Sequence, residues 1–260
     1  MHLKDRVALV TGAGSGIGEA SAKLLASHGA RVGVLSRTAE EVREVAERIK
    51  NDGGEAVALT ADISKPPQIK KAIDRLADRW GRLDIVFANA GINGVWAPIE
   101  ELEPDEWDKT LEVNLKGTFL TVKYATPYLK RNGGSVIITS SVNGNRIFSN
   151  TGATAYSCSK AGQVAFTQMI ALELAKHRVR VNAICPGAIK TEISESTQHR
   201  DLEHLGTPVE FPEGRIPLTR GEPGTSEQVA ELVAFLASDQ SDHISGAVIY
   251  IDGAESVLQG

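Results

Sequence analysis

The chain has 260 residues, of which 42% are hydrophobic and 23% are charged, so it can bury the core of one large α/β domain or of two small ones. A net charge of -5 provides no basic surface and argues against nucleic acid as the main partner. No apolar run approaches the roughly 18 to 20 residues that span a bilayer, and the N-terminus lacks a signal-peptide pattern, so we expect a cytoplasmic protein with no membrane partner.

Short β-branched runs alternate with longer helical patterns along the whole chain, which is typical of a parallel sheet covered by helices on both faces. We predict one doubly wound α/β domain over residues 1–260, with a seven-stranded parallel sheet in the order 3-2-1-4-5-6-7. The predicted strands are residues 6–10, 31–35, 55–59, 83–87, 135–139, 180–184 and 247–251.

Signals at the helix ends agree with this alternation. Thr38-Ala-Glu-Glu41 predicts a capping box at the start of the second helix, Gly53-Gly54 predicts its end, and Pro104-Asp105-Glu106 predicts the start of the fourth. Residues 190–224, rich in Pro, Gly, Thr, Glu and His, break the rhythm. Because this connection is longer than ordinary loops, we predict that it forms a lid over the substrate.

A glycine-rich run, TGAGSGIG at residues 11–18, directly follows the first predicted strand and opens a helical pattern. Glycine lets the chain turn tightly and approach a pyrophosphate, and the helix N-terminus presents backbone NH groups and the positive end of its dipole. The run therefore predicts a dinucleotide site. The cofactor contacts expected from it are Gly12, Ser15, Gly16, Ile17 and Gly18.

Two further turns are expected to complete the dinucleotide site. Asn89-Ala90-Gly91 follows the fourth strand, and if the strand order reverses after the first βαβαβ half, this turn faces the glycine-rich run at the switch point. Asp62 and Ile63 follow the third strand. Asp62 can accept a hydrogen bond from the adenine amino group or simply cap a turn, and the sequence leaves both interpretations open.

The end of the second strand, Ser36-Arg37, indicates which nicotinamide dinucleotide is bound. An acid at this position would hold the ribose 2′-hydroxyl, whereas a guanidinium pairs with a 2′-phosphate through charged, forked hydrogen bonds. Arg37 therefore favours NADP(H). The alternative is NAD(H) with a solvated Arg37, since Ser15 supplies no second basic residue in the glycine-rich run.

Tyr156 precedes Lys160 by four residues, so on a helix the two side chains share one face. A free tyrosine, with a pKa of about 10, is a poor acid near neutrality, and an adjacent positive charge favours the phenolate and lowers that pKa. The pair therefore predicts a proton donor.

Together these motifs resemble the short-chain dehydrogenase/reductase family, and the likeness covers almost the whole chain. It rests on TGAGSGIG at 11–18, Asp62, the NAG at 89–91, Asn114, Ser140-Ser141, the Tyr156/Lys160 pair and the stretch from Pro186 to Thr191. The resemblance implies a Rossmann fold, a homotetramer and an NAD(P)-dependent enzyme that needs no metal. Ser141, which fits the SSVxG pattern better than Ser140, would be the catalytic serine.

The resemblance also implies roles for single residues. Ser141 would hold a substrate carbonyl oxygen, Tyr156 would donate a proton to it, and Lys160 would lower the tyrosine pKa and bind the nicotinamide ribose. Asn114 would bend its helix and anchor a water that leads to the lysine. Further cofactor contacts implied on the nicotinamide side are Pro186, Gly187, Ile189 and Thr191.

Two departures from the family pattern affect the pocket. Ala88 precedes the NAG where the family usually has Asn, which changes hydrogen bonding at the strand end. The stretch from Ser141 to Tyr156 is longer than in many members, which predicts a modified pocket wall over 143–152. The residues predicted to line the substrate pocket are Trp96, Asn143, Phe148 and Ile193.

The predicted reaction is hydride transfer between NADP(H) and a carbonyl or secondary alcohol, with a 3-oxoacyl thioester or a sugar or polyol as the candidate substrates. Three alternatives remain: the same reaction with NAD(H), a non-catalytic dinucleotide sensor, and an enzyme like the nucleotide-sugar epimerases. Cys158 and Cys185 lack CxxC spacing, and His199 and His204 lack a metal-ligand pattern, so we predict no metal site.

Overall fold

The structure is a computed structural model that describes residues 2–191, 193, 197–206 and 209–259. The strands in these residues are β1 Val7–Thr11, β2 Arg31–Ser36, β3 Glu55–Thr60, β4 Ile85–Ala88, β5 Val95–Trp96, β6 Gly134–Thr139, β7 Val179–Pro186, β8 Gln198–His199 and β9 Val248–Ile251. The helices are α1 Gly16–Ser27, α2 Ala39–Asn51, α3 Pro66–Trp80, α4 Pro104–Leu111, α5 Gly117–Asn132, α6 Thr154–Ala175, α7 Ser226–Ala237 and α8 Glu255–Gln259.

Seven of the described strands form one parallel sheet in the order β3-β2-β1-β4-β6-β7-β9. The predicted order is thereby confirmed, since these are the seven long strands in chain order, within one α/β domain. After β3 the chain returns to the middle of the sheet, and β4 pairs with β1 on the side away from β2. The carboxyl ends of β1 and β4 therefore flank the switch point at which ligands of such sheets bind.

Alternate residues of the sheet face two separate hydrophobic clusters. In β1, Ala8 and Val10 belong to the cluster that includes residues of α1, α2 and α7, whereas Val7 and Leu9 belong to the cluster that includes residues of α3, α5 and α6. All five residues of β1 are buried, as expected for a strand covered on both faces. The sheet is thus the rigid central layer of the domain, and its carboxyl edge is free to carry a site.

The predicted helix ends agree with the structure in two of three cases. Helix α2 ends at Asn51, just before Gly53, and α4 begins at Pro104, where a carboxylate oxygen of Glu106 accepts the Glu103 backbone NH. The capping box predicted at Thr38 is wrong, because the Thr38 side chain makes no cap bond.

Strands β5 and β8 form a separate parallel pair that the sequence analysis did not predict. Val95 pairs with Gln198 and Trp96 with His199, and the Trp96 and His199 rings stack with centroids 5.5 Å apart. Next to this pair, Arg200 donates to a carboxylate oxygen of Glu106 in α4. Residues 198–200 of the segment predicted as a lid are thereby held against the stretch that follows β4. Glu192, residues 194–196 and residues 207–208 of that segment lie outside the described residues.

None of the described helices is long and apolar enough to cross a membrane.

Candidate active site

A cavity of about 580 Å³ opens at the carboxyl edge of the sheet, around the switch point between β1 and β4. It brings together residues from all parts of the chain, as the doubly wound topology requires. The predicted site residues that line it are Gly12, Ser15, Gly16, Ile17, Ser36, Arg37, Asp62, Ile63, Asn89, Ala90, Gly91, Ser141, Tyr156, Lys160, Pro186, Gly187, Ile189, Thr191 and Ile193. Gly18, Asn114, Trp96, Asn143 and Phe148 do not line it.

The glycine-rich run fits closely against the turn after β4. Gly12 has a φ of +64°, and a Cβ built there would lie 2.8 Å from the Ala90 Cα, so a side chain cannot be accommodated. A Cβ at Gly18 would collide with the Gly12 carbonyl oxygen, so Gly18 lets helix α1 pack behind the run. The open backbone on the cavity side is the cradle that a pyrophosphate needs, and the residues present fit a dinucleotide.

Two threonines that the sequence analysis missed fix this cradle. The Thr11 hydroxyl oxygen accepts the backbone NH groups of Asn89 and Ala90, at 3.0 and 3.1 Å. The Asn89 amide donates to the Thr11 carbonyl oxygen, at 3.2 Å, and accepts a hydrogen bond from the Thr139 hydroxyl, at 3.1 Å. These bonds lock the carboxyl ends of β1, β4 and β6 together, which keeps the two turns at a constant separation.

Asp62 caps its own turn. Its Oδ1 accepts the backbone NH and the hydroxyl of Ser64, at 2.9 and 2.8 Å. Burial would raise the pKa of Asp62, but these hydrogen bonds, with the positive charges of Arg37 and Lys109, hold that pKa below its usual value. The turn-capping interpretation therefore holds. Asp62 also lines the cavity, and its contact with adenine stays a prediction.

The part of the cavity beside Ser36 is lined by one positively charged and one negatively charged side chain. Arg37 is exposed and lines the cavity. Glu41, in the first turn of α2, also lines it, and its carboxylate accepts the Ser36 hydroxyl at 3.2 Å. A Cβ built at Gly14 would lie 2.8 Å from the Glu41 Cβ, so Glu41 lies directly over the glycine-rich run. Glu41 was not among the predicted site residues, although it lies only four positions after Arg37.

Ser141 and Tyr156 meet at the other end of the cavity. Burial raises the pKa of the Tyr156 phenol, and a hydrogen bond with Ser141 opposes that rise. The Ser141 oxygen also accepts the Asn143 backbone NH, at 3.2 Å. Ser140, by contrast, donates its hydroxyl to the Lys160 carbonyl oxygen, at 2.8 Å, inside the protein. Ser141 is therefore the serine whose hydroxyl is presented beside the tyrosine.

Lys160 is 4% exposed, and its Nζ donates to the Thr139 carbonyl oxygen at 2.9 Å. Burial lowers the lysine pKa to about 8, against a smaller opposite effect of Cys185. Its Nζ is 5.5 Å from the centroid of the Tyr156 ring. The expected lowering of the tyrosine pKa is not observed, because the loss of water around the phenol outweighs the hydrogen bond with Ser141.

Asn114 lies behind the cavity in a π-helical turn, Glu112–Lys116, which joins α4 to α5. Its side-chain oxygen accepts the Ile92 NH at 2.8 Å, and its side-chain nitrogen donates to the Ile92 carbonyl oxygen at 2.9 Å and to the Ser159 hydroxyl at 3.0 Å. The side chain therefore fixes the loop after Gly91. The implied bend is present as this turn, and the implied water relay stays a prediction.

Three of the four predicted substrate contacts lie outside the cavity lining. Trp96 stacks on His199, Asn143 is buried and accepts a hydrogen bond from the Asn150 amide at 3.2 Å, and Phe148 is 69% exposed. Trp96 and Asn143 are engaged by local structure that the sequence pattern did not reveal, whereas Phe148 faces solvent. Ile193 does line the cavity. Contacts of the other three with a substrate remain predictions.

Among the described residues, no group of three or more His, Cys, Asp and Glu side chains could hold a metal ion.

Comparison with known proteins gives matches over nearly the full length. A family model described as enoyl-(acyl carrier protein) reductase matches residues 12–254. The 3-oxoacyl-(acyl-carrier-protein) reductase of Thermotoga maritima is 37% identical over 254 residues, which are 97% of this chain and 98% of that protein. The cyclohexanol dehydrogenase of an Acinetobacter species is 35% identical over 251 residues, which are 96% of this chain and 94% of that protein.

A solved structure, that of a 3-ketoacyl-ACP reductase from Sinorhizobium meliloti 1021, matches with a TM-score of 0.93 at 53% identity. The match covers 97% of this chain and 99% of that chain. These proteins are reductases and dehydrogenases that share the fold, the length and the family of this chain. The chain therefore belongs to the short-chain dehydrogenase/reductase family and is an NAD(P)-dependent oxidoreductase.

Proposed function

We propose that the protein transfers a hydride between NADP(H) and a carbonyl or secondary alcohol, with Tyr156 as the acid and base. The observation that carries this proposal is that Ser141, Tyr156 and Lys160 line the same cavity as the two glycine turns. A sensor would need the turns alone, so the presence of the three side chains beside them supports catalysis over the sensor alternative.

The bound cofactor supplies or accepts the hydride at its nicotinamide. The protein's own residues handle the oxygen and its proton. In the reductive direction the Ser141 hydroxyl donates a hydrogen bond to the carbonyl oxygen, and the Tyr156 hydroxyl gives its proton to that oxygen as negative charge develops there. The Lys160 ammonium, held by Thr139, lies behind the tyrosine as the nearby positive charge. In the oxidative direction Tyr156 takes the proton back.

The proton-donor role predicts the effect of Tyr156→Phe. We expect this variant to bind the cofactor normally and to turn over roughly 10²- to 10⁴-fold more slowly, because only the transferable proton is lost. Steady-state rates and cofactor titration by fluorescence measure the two properties. Tyr128→Phe is the control, since it removes a hydroxyl that donates to Asp74 outside the cavity. Full turnover by Tyr156→Phe would rule out the proposed acid.

The buried ammonium of Lys160 predicts a pH-dependent stability. Its pKa is about 8 in the folded protein against 10.5 for the free side chain, so at pH 8 and below its burial costs about 3 kcal/mol, at about 1.4 kcal/mol per pKa unit. Between pH 8 and 10.5 the unfolded chain binds more protons than the folded one, and the cost disappears as the pH rises.

Lys160→Met removes this cost. The stability of the variant relative to the natural protein should therefore fall by about 3 kcal/mol between pH 8 and pH 10.5. Urea unfolding of both cofactor-free proteins across this range measures it, with Lys176→Met, which changes an exposed lysine, as the control. A stability difference that does not vary with pH would contradict the burial of a charged Lys160.

The choice of cofactor is argued from the charges at the Ser36 end of the cavity. The exposed Arg37 guanidinium there supports NADP(H), because it can pair with a 2′-phosphate. Glu41 opposes this preference, since its carboxylate lies within the same end and would repel that phosphate. We therefore propose NADP(H) as the favoured cofactor, with NAD(H) as a second cofactor that Glu41 allows.

Opposite substitutions at these two residues should move the preference in opposite directions. We expect Arg37→Asp to shift the ratio of kcat/KM for NADPH and NADH toward NADH by about tenfold or more, the value of a charged hydrogen bond. Glu41→Gln should shift it toward NADPH. Glu40→Gln, which changes an exposed acid paired with Arg43, should leave the ratio unchanged. A strong NADH preference of the natural protein would overturn the Arg37 argument.

For the substrate we propose a 3-oxoacyl thioester, because the relatives at 53% and 37% identity are both named as reductases of that class. A sugar or polyol remains the second candidate, and the 35% identity to a cyclohexanol dehydrogenase supports cyclic alcohols as well.

A panel of these compounds with NADPH and NADH should give the highest kcat/KM for a short 3-oxoacyl thioester. Turnover of polyols alone would contradict that choice.

We also propose a homotetramer. Apolar side chains that are exposed on α5 and α6 support association, since Phe119 is 42% exposed, Met169 76% and Leu172 84%. Mass measurement in solution tests it.

The cytoplasmic location expected from the sequence stays a prediction.

A further inference from the structure

A buried carboxylate outside the proposed catalytic residues reaches the cavity wall from the C-terminal end of the chain. Glu255, at the start of α8, is 5% exposed, and its Oε2 accepts the backbone NH of Ala188 at 2.9 Å. Its Oε1 accepts the side-chain amide of Gln259 at 3.2 Å. Ala188 directly follows Gly187, which lines the cavity after β7. Glu255 therefore binds a residue that is the direct neighbour of one lining the cavity.

The approach of Glu255 is close enough to determine the residue at position 187. A Cβ built on Gly187 would lie 2.6 Å from Glu255 Oε2 and 2.6 Å from the Asp252 Cβ. Glycine is thus needed here because the C-terminal segment packs directly against the loop. This requirement adds to the part that Gly187 is expected to have in the pocket.

The turn that presents Glu255 is itself fixed. Asp252 accepts the backbone NH groups of Ala254 and Ser256, at 3.2 and 3.0 Å, and Ala254 has a φ of +69°. A residue other than glycine adopts this conformation at a cost that its surroundings must offset. The hydrogen bonds that Asp252 accepts therefore fix the backbone of the turn from which the Glu255 side chain projects.

The same segment, residues 252–256, contacts two other walls of the site. The Gly253 carbonyl oxygen accepts the Leu218 NH at 3.1 Å, which ties the segment to the predicted lid. The Ser256 hydroxyl accepts a hydrogen bond from Arg146 at 3.4 Å, and the Arg146 guanidinium lies 3.6 Å from the centroid of the Tyr250 ring. Arg146 belongs to the stretch that follows Ser141, so three walls meet at one short segment.

The Ala188 peptide is held from both sides. Glu255 accepts its NH, and its carbonyl oxygen accepts the Gly224 NH at 3.0 Å. Ile189, which lines the cavity, forms an isolated parallel bridge with Gly224. Removing the carboxylate would leave a buried NH without an acceptor, and the loop would have to shift to restore a partner.

We propose that Glu255 is a positioning residue that fixes the wall on the nicotinamide side of the cavity through the Ala188 NH. It contacts neither cofactor nor substrate and acts through the loop at 186–189. This inference rests on the proposed function, because that function assigns the nicotinamide to this end. The adenosine end, with Asp62, Arg37 and Glu41, lies across the cavity and has no bond to the C-terminal segment among the described contacts.

The inference predicts a selective loss of affinity. Glu255→Ala should bind NADPH about tenfold more weakly, the effect of one lost hydrogen bond to a charged group, while it binds adenosine 2′,5′-bisphosphate within twofold of the natural protein. That compound has the adenosine end and no nicotinamide. Isothermal titration calorimetry measures both affinities without turnover. Glu255→Gln retains an acceptor oxygen and should restore most of the affinity for NADPH.

Gln259→Ala is the matched control, because it removes the other partner of Glu255 and leaves the Ala188 bond in place. It should behave as the natural protein does. Backbone amide exchange of a peptide that covers 186–190 should become faster in Glu255→Ala and stay unchanged in the control. If Glu255→Ala does not fold, Glu255→Asp withdraws the carboxylate from Ala188 while keeping its charge and carries the same expectations.

Equal losses for NADPH and adenosine 2′,5′-bisphosphate would overturn the proposal, since they would indicate a general loss of structure. Unchanged NADPH affinity in Glu255→Ala would overturn it as well. Failure of the proposed function is a different result, namely a natural protein that binds the bisphosphate but transfers no hydride with any carbonyl in the panel.

Discussion

The close approach of two backbone turns at the switch point is the constraint on which the site depends. The turn after β1 lies against the turn after β4, so Gly12 has no space for a side chain beside Ala90. Thr11 and Asn89 then join the two turns by hydrogen bonds that use both side chains and backbone. Every other group at the carboxyl edge is positioned relative to this junction, because the sheet that carries it is buried on both faces and rigid.

A site built at the edge of a buried sheet imposes a cost on any charge that is buried in it. Lys160 shows this cost directly, since burial lowers its pKa, and the same burial raises the pKa of the Tyr156 phenol beside it. The Thr139 carbonyl oxygen gives the ammonium one partner. A negatively charged phenolate is therefore unfavourable at Tyr156. The neutral phenol is the form that donates a proton, so burial favours the protonated acid.

The sequence predicts those parts of this structure that follow from local patterns. Strand and helix periodicity predicted the order of the sheet. The motifs that contain Gly12, Tyr156 and Lys160 predicted site residues, and these three residues line one cavity. The pairing of β5 with β8 could not be predicted, because a strand of two residues is too short to show a periodicity. The two strands are also far apart in the chain. The hydrogen bond of Glu255 depends on where the last helix packs, which is a property of the whole fold. Trp96 was expected at the substrate, and the unforeseen pairing explains why it stacks on His199.

Two glutamates illustrate how differently the ends of one cavity are built. Glu41 lines the cavity beside Ser36, where its charge is open to solvent and salt. Glu255 is buried behind the opposite wall, where it acts by a single directed hydrogen bond to backbone. Under the proposed function, charge at the first end determines which cofactor is preferred, and geometry at the second determines how tightly the cofactor is held. Because Glu41 and Glu255 share no described hydrogen-bond partner, substitutions at the two residues should contribute additively to the free energy of NADPH binding.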